Sequence, residues 1–502
     1  MKPSVMTLAM NNSAMPFHPA AIQAATATRS LRLLAVLVSA AVLGGCASFS
    51  PDGGLAAVEQ TARDRLGKDV QVQWARSDAD QDRIAQRVGE LLSKPLTVDD
   101  AVQVALLNNR GLQATFQELG ISEAEVVQAG RLPNPGFSFG RSSRGDEREI
   151  ERGLHFNIAR LIAMPFIGQM EARRFEQTKG MVAMSVLSLA ADTRKAYYNA
   201  LAAEETVRYM RQVRLAADAS AELARRMEQV GNFNKLQRAR EQVFYADASL
   251  NLARADQAQR ATRERLTRLL GAWGAQTLFL LPERLPDLPK AVMELPDIER
   301  VALSQRLDVR GAKLAAEQTA RNLGLTRATR FVNVLELGLI RNSSNEAPTQ
   351  RGWEIGFELP LFDWSGTRVA RAEAVYMQTV HRAAETAINA RSEVREAYTG
   401  YRSAYDIARH QRDEVVPLNQ RIAEENLLRY NGMLIGVFEL LADARSQIAS
   451  VNSAIQALRD FWIAQADLDM ALIGKPSLAS STGAAAGPAG MTSAAEAAGA
   501  PH

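Results

Sequence analysis

The sequence predicts a mainly α-helical protein with a small β part, built from two copies of one structural plan. Three observations lead to this prediction. Short landmarks recur at a spacing of about 200 residues, two pairs of segments alternate apolar and polar residues, and long stretches almost free of proline follow each pair. Each copy is therefore expected to hold a helical entry, a β-hairpin and a pair of very long helices.

Composition excludes several classes of protein. The chain has 502 residues, and 59 Lys and Arg against 56 Asp and Glu give a net charge of +3, which is too balanced for a nucleic-acid-binding protein. One cysteine excludes an internal disulfide, and with only five histidines it argues against a Cys/His metal site. No phosphate-binding glycine loop or nucleophile–base order is found. We therefore predict no catalytic residue, cofactor or metal.

The N-terminus reads as a targeting signal. Arg29 and Arg32 precede an apolar run over 33–43, which is too short to span a membrane as a helix, and the only cysteine, Cys46, follows two glycines. Leu43-Gly44-Gly45-Cys46 resembles the bacterial lipobox. The resemblance implies that residues 1–45 are a lipoprotein signal peptide and that Cys46 carries N-palmitoyl and S-diacylglycerol groups. An ordinary signal peptide with an incidental cysteine is the alternative.

The duplication is read from landmarks that occur in the same order in both halves. The pairs are Ala105-Leu106 with Ala302-Leu303, Ala196-Tyr197 with Ala397-Tyr398, Gly231 with Gly432, and Leu270-Gly271 with Ile473-Gly474. The first repeat is predicted over 96–281 and the second over 297–475. A proline-rich linker, 282–296, joins them.

Each repeat contains one predicted β-hairpin, at about 135–160 and 331–360. Alternation is clearest where Trp353, Ile355 and Phe357 are separated by Glu354 and Gly356. Polar loops are expected over 142–151 and 342–350. Four strands cannot close a barrel alone, so the hairpins indicate either a barrel shared by several chains or a soluble sheet packed on a helix layer.

The long helices are predicted at about 166–270 and 366–473. The only strong break in the first is Gly231-Asn232, and the second breaks at Asn431-Gly432, with Pro417 expected to kink or interrupt its helix. A continuous helix over 166–230 would extend roughly 95 Å, which suits a coiled-coil hairpin rather than a compact globule. The remaining segments are a lipidated N-terminal linker or equatorial segment, 46–95, and an Ala/Gly/Ser-rich tail, 476–502, expected to be disordered.

These elements together resemble the outer-membrane efflux family, the TolC-like channels, over 96–474. The resemblance is carried by Thr97-Val98-Asp99-Asp100-Ala101, Leu132-Pro133-Asn134-Pro135, Pro165 and Pro360 at the entries to the long helices, Tyr430-Asn431-Gly432, and Phe438-Glu439-Leu440-Leu441. It implies a homotrimer in which four strands per chain form one 12-stranded transmembrane β-barrel. The long-helix hairpins would form an α-barrel across the periplasm.

Four residues near the helix turns are the candidate functional residues of this conduit. The resemblance implies that Gly231 and Gly432 form periplasmic tip turns recognised by an adaptor; as helix caps they need no such role. Glu439 and Asp443 lie one helical turn apart, where the family places acidic residues around the closed tip. A solvated helix face is the alternative for both carboxylates.

The function expected from the resemblance is passive. The chain would be the outer-membrane channel of a tripartite exporter, held by lipid in the outer membrane and fed by a periplasmic adaptor and an inner-membrane pump. It would be no enzyme and would bind no nucleic acid. A non-conducting coiled-coil scaffold lipoprotein of the envelope is the alternative.

Overall fold

A computed structural model describes residues 48–328, 335–357 and 366–475. The signal peptide 1–45, Cys46, Pro360 and the tail 476–502 lie outside these residues. Fold class is as the sequence predicts at the coarse level: long helices dominate, and four strands form one small antiparallel sheet.

The described elements follow the duplicated order. The first half contains α1 (Leu55–Leu66), α2 (Asp78–Leu92), α3 (Val98–Asn108), α4 (Arg110–Ala129), β1 (Gly136–Arg144), β2 (Glu147–Asn157), α5 (Ile158–Gln229) and α6 (Lys235–Leu270). The second contains α7 (Ile298–Gln305), α8 (Leu307–Ala328), β3 (Leu335–Ser344), β4 (Gln350–Phe357), α9 (Gly366–His410), α10 (Val416–Asn431) and α11 (Val437–Ile473). Helices α1 and α2 occupy most of the segment expected as a linker.

In both repeats, a side chain between the two entry helices bonds to the end of the last long helix. Asn109, between α3 and α4, donates from Nδ2 to the carbonyl of Leu269 at 2.9 Å. Arg306, between α7 and α8, donates from Nη1 to the carbonyl of Ala471 at 3.2 Å. Both carbonyls lie near the end of the last long helix of their repeat. The pseudo-symmetry of the sequence is therefore reproduced as one tertiary contact made by two different side chains.

Helix α5 begins earlier than the sequence predicts. It starts at Ile158 rather than near Phe166, so Pro165 lies inside the helix and not at its entry. The cap explains the difference, because Asn157 Oδ1 accepts from the Arg160 amide at 2.7 Å and strand β2 passes directly into the helix. Pro165 has no backbone N–H, so the helix lacks one hydrogen bond at this position but continues through it. With 72 residues, α5 is roughly 110 Å long.

Pro417 interrupts the second long helix as predicted. Helix α9 ends at His410, a single π-helical turn follows over Gln411–Val415, and Pro417 lies in the first turn of α10. A π turn changes the backbone path ahead of the proline ring, which would otherwise clash with the carbonyl one turn before it. The interruption is therefore a local widening and not a separate loop.

The sheet has the order β1-β2-β3-β4, with every neighbouring pair antiparallel. The central pairing, β2 with β3, joins the two repeats. Strands are longer than predicted, because β1 and β2 pair up to Arg144 and Glu147 and leave a two-residue turn in which Gly145 has φ +62°. Most of the polar stretch 142–151 is therefore strand. Its polarity reflects exposure of both faces and not a loop.

The core lies where the helical layers cross, between the sheet and the helix turns. One cluster packs α3 against Tyr197 and Leu201 of α5 and Leu266 of α6. The second repeat has its own cluster around Phe461. Tyr198 stacks on Trp462 with ring centroids 5.4 Å apart, so the two halves share one interior.

Candidate functional site

The sheet separates apolar and polar side chains onto opposite faces. Cross-strand partners define one face by the rows Phe156–Leu337–Ile355 and Phe137–Leu154–Leu339–Trp353. In the single chain this face is open to solvent, and Phe137 and Trp353 are both 69% exposed. Exposed aromatic residues on both edge strands of one face are unusual for a soluble sheet and indicate that something apolar covers this face.

The opposite face is acidic and rich in glycine. Its acidic residues are Glu147, Glu149, Glu151, Glu336 and Glu354, and its glycines are Gly136, Gly140, Gly153, Gly338, Gly352 and Gly356. Because side chains alternate along a strand, these residues share one surface only in the observed register. Because glycine has no side chain, this face is a shallow surface that carries negative charge.

Three polar residues in contact with one another cross this acidic face. Ser138 Oγ lies 2.9 Å from His155 Nε2, and His155 Nδ1 lies 3.3 Å from Glu354 Oε1, forming an ion pair when His155 is protonated. The contact passes over Gly338, where a Cβ would lie 2.6 Å from Glu354 Cγ. This set could not be read from the sequence, because strands β1, β2 and β4 meet there only after folding.

The predicted tip glycines lie at the ends of their hairpins but differ in conformation. Gly231 has φ +80°, and the Asn232 amide donates to the Met227 carbonyl at 2.8 Å. In the second repeat Gly432 has φ −79°, and the left-handed residue is Met433, at φ +58°. The structural equivalent of Gly231 is therefore Met433 and not Gly432. A non-glycine residue there costs about 1 kcal/mol.

The two hairpin ends lie side by side. Arg445 of α11 lies 3.5 Å from Glu241 Oε1 of α6, and its guanidinium lies over the Phe244 ring, 4.3 Å from the centroid. Glu241 is buried and also accepts from Ser220 Oγ at 2.8 Å. This ion pair is not evident from the sequence, because it joins residues about 200 positions apart.

The two candidate gate carboxylates have different surroundings. Asp443 accepts a hydrogen bond from Asn426 Nδ2 on the facing helix α10, so it is held within its own hairpin. Glu439 is exposed in the first turn of α11, and no ion pair joins it to another described residue. A role for either residue in gating stays a prediction, and the geometry favours Glu439 as the available carboxylate.

Within residues 48–328, 335–357 and 366–475, no helix has the apolar length that a membrane crossing requires. In the same residues, no group of three or more His, Cys, Asp or Glu side chains is arranged to hold a metal ion.

Comparison with curated proteins gives one informative relative, and no family model matches the chain. The cobalt-zinc-cadmium resistance protein CzcC of Cupriavidus metallidurans is 27% identical over 284 residues. The match covers 54% of this chain and 64% of the relative, which is less than two thirds of the relative's length.

Solved structures resemble the chain over a longer stretch. A crystal structure of CusC has a TM-score of 0.63 and 18% identity, over 75% of this chain and 92% of that one. The CmeC outer membrane channel of Campylobacter jejuni has a TM-score of 0.63 and 17% identity, over 75% and 85% of the two chains. The resemblance inferred from the sequence is confirmed at the level of the fold.

Proposed function

Because this chain has the fold of the outer-membrane efflux channels, we propose that three copies form one conduit across the periplasm and the outer membrane. The observation that carries the proposal is an open four-stranded sheet with an exposed apolar face, joined directly to a helix roughly 110 Å long. An inner-membrane pump and a periplasmic adaptor supply the cargo and the energy. The conduit itself conducts passively.

The sheet supports assembly because its edges are incomplete. Strands β1 and β4 each have a partner on one side only among the described residues. Unpaired strand edges are not tolerated in lipid, whereas β4 of one copy paired with β1 of the next closes the sheet. Three copies give 12 strands, an even number of the kind found in transmembrane barrels. The exposed aromatic face then meets lipid, and the acidic face lines the lumen.

The helix ends support the proposed adaptor contact. Val230 and Leu236 beside the first turn, and Met433 and Leu434 in the second, are exposed apolar side chains at neighbouring positions. Apolar residues concentrated at the end of a long hairpin indicate a protein contact. We assign the tip turns at Gly231 and Gly432–Met433 to adaptor recognition.

Cys46 provides the proposed lipid anchor to the outer membrane. An anchor and long helices would also suit a non-conducting scaffold, which is the second function considered. A scaffold, however, gives no reason for an exposed aromatic sheet face backed by an acidic one. The sheet therefore favours the conduit.

Divalent metal cations are the cargo that the acidic face supports. Negative wall charge raises the local concentration of cations in a narrow pore. The matched relative is a cobalt-zinc-cadmium resistance protein, which agrees with this class of cargo. We therefore propose export of divalent cations, with no binding site needed in the wall.

Deleting the gene in its host tests both the efflux function and the cargo. We expect growth inhibition at several-fold lower Co²⁺, Zn²⁺ or Cd²⁺ concentrations, with more cell-associated metal measured by mass spectrometry and recovery on complementation. A deletion strain sensitive only to organic compounds would retain the conduit and contradict the cation cargo. A strain with unchanged tolerance to both would contradict efflux.

A further inference from the structure

The apolar face of the sheet ends in a row of arginines on the side of the hairpin turns. Arg152 of β2 pairs directly with Arg341 of β3, which pairs directly with Arg351 of β4. We call these three residues the arginine row. Neighbouring strands lie about 4.8 Å apart, so the three side chains leave the same face as close neighbours. Arg141 and Arg148 lie on the same face, nearer the turn between β1 and β2.

The arginine row has no counter-charge in the described part of the chain. All three residues are exposed, and none takes part in an ion pair or side-chain hydrogen bond there. The acidic residues of the strands lie on the opposite face, because their positions have the other parity. Like charges directly opposite one another destabilise a sheet. The row is therefore a site that an external anion would stabilise.

The position of the row limits the chemistry of that anion. The next row of this face, on the side of the helices, is Phe137–Leu154–Leu339–Trp353. Phe139 of β1 pairs with Arg152 and lies at one end of the arginine row. A ligand that meets both rows needs an anionic group above an apolar body. Arginine binds phosphate oxygens in bidentate fashion, and basic side chains at a membrane boundary attract anionic headgroups.

We propose that the arginine row binds the phosphate groups of phosphorylated lipids in the outer leaflet of the membrane around the barrel. The proposal rests on the proposed function, since it takes the aromatic face to be in lipid and the turns to face outward. Three copies of the row would form a girdle that fixes the depth of the barrel. The acidic face plays no part, because the sheet backbone separates it from the lipid.

Lipid binding by the purified full-length trimer tests the proposal. The probe is bisphosphorylated lipid A in mixed micelles, with its dephosphorylated form and free inorganic phosphate as separate arms. The variant carries Arg152→Gln, Arg341→Gln and Arg351→Gln. At about fivefold per arginine, we expect its affinity for lipid A to fall on the order of 100-fold. Native mass spectrometry counts the bound lipid.

A matched control removes the same charge elsewhere. Arg240, Arg260 and Arg265 are exposed on α6, and none makes an ion pair with a described residue. Changing these three to glutamine should leave lipid A binding unchanged. Single Arg→Gln variants of the row, each expected to weaken lipid A binding about fivefold, keep the test decisive if the triple variant fails to assemble.

Each outcome has a defined meaning. Equal binding of phosphorylated and dephosphorylated lipid, or wild-type binding by the glutamine variant, would overturn the proposal. Binding of free inorganic phosphate with the same affinity as lipid A would show an anion site without lipid specificity. That result would also overturn the proposal. Conductance of the same samples is recorded in parallel, so a conducting trimer without lipid binding contradicts this inference alone, whereas a protein that neither assembles nor conducts contradicts the proposed function.

Discussion

Arg306→Ala is expected to lower the free energy of unfolding by about 3 kcal/mol, at the lower end of the range for breaking a buried ion pair. Arg306 is 2% exposed and bonds at 2.6 Å to both Asp308 Oδ2 and Glu393 Oε2. Its removal leaves two facing carboxylates and the Ala471 carbonyl without their donor. Burial alone would lower the pKa of Arg306, but the bonds to Asp308 and Glu393 outweigh it and raise that pKa.

The measurement is the thermal midpoint of helix loss, followed by circular dichroism in detergent. Arg300→Ala is the matched control, because Arg300 is on the adjacent helix α7 and pairs with Asp297 at the surface, with its side chain 80% exposed. That pair should contribute less than about 1 kcal/mol. A wild-type midpoint for Arg306→Ala, or equal shifts for both variants, would contradict the role assigned to Arg306.

Gly271→Ala is expected to destabilise the first repeat by about 2–5 kcal/mol. Gly271 has φ +63°, which costs an L-residue about 1 kcal/mol, and its Cβ would lie 2.6 Å from the backbone oxygen of Asn108. Because the obstacle is backbone, the corner between α3 and α4 must move away from the end of α6, which costs a further 1–3 kcal/mol or so. Asn108 Nδ2 would also lose its 2.9 Å bond to the Gly271 carbonyl.

Gly274→Ala separates the two causes. Gly274 has a similar φ of +57°, but a Cβ there meets no atom within 4 Å. It should therefore show the conformational cost of about 1 kcal/mol alone. Thermal midpoints rank the variants, and amide exchange over 105–112 locates the change. Equal effects of the two substitutions would show that the approach of Asn108 to Gly271 does not matter.

The periodicity of apolar residues, the positions of proline and glycine, and the recurring landmarks predicted the helices, the strands and the duplication. Pro417 identified the interruption after α9, because a proline inside a helix has a known local cost. Pro165 was misjudged by the same rule, because a strong cap at Asn157 lets the helix begin before the proline. Local rules give the cost of a residue, but the surrounding structure decides whether that cost ends an element.

The candidate site was less accessible to sequence reasoning. Ser138, His155 and Glu354 lie on three strands, and Arg152 is about 190 positions from Arg341. Their contacts depend on the pairing of β2 with β3, and a shift of one residue would put one partner on the other face. Gly432 was predicted as the second turn residue from its place in the repeat and from the resemblance, yet Met433 has the positive φ. Conformational preference cannot choose between neighbours when the penalty is only about 1 kcal/mol.

Single-channel conductance in a planar bilayer, measured with the oligomeric mass of the same full-length lipidated protein, tests the proposed conduit most directly. Three open sheets that close into one barrel predict a trimer that passes discrete steady or flickering currents. Heat should dissociate the trimer and abolish the currents together. A monomer or dimer without conductance would contradict the conduit and leave the scaffold lipoprotein as the better description.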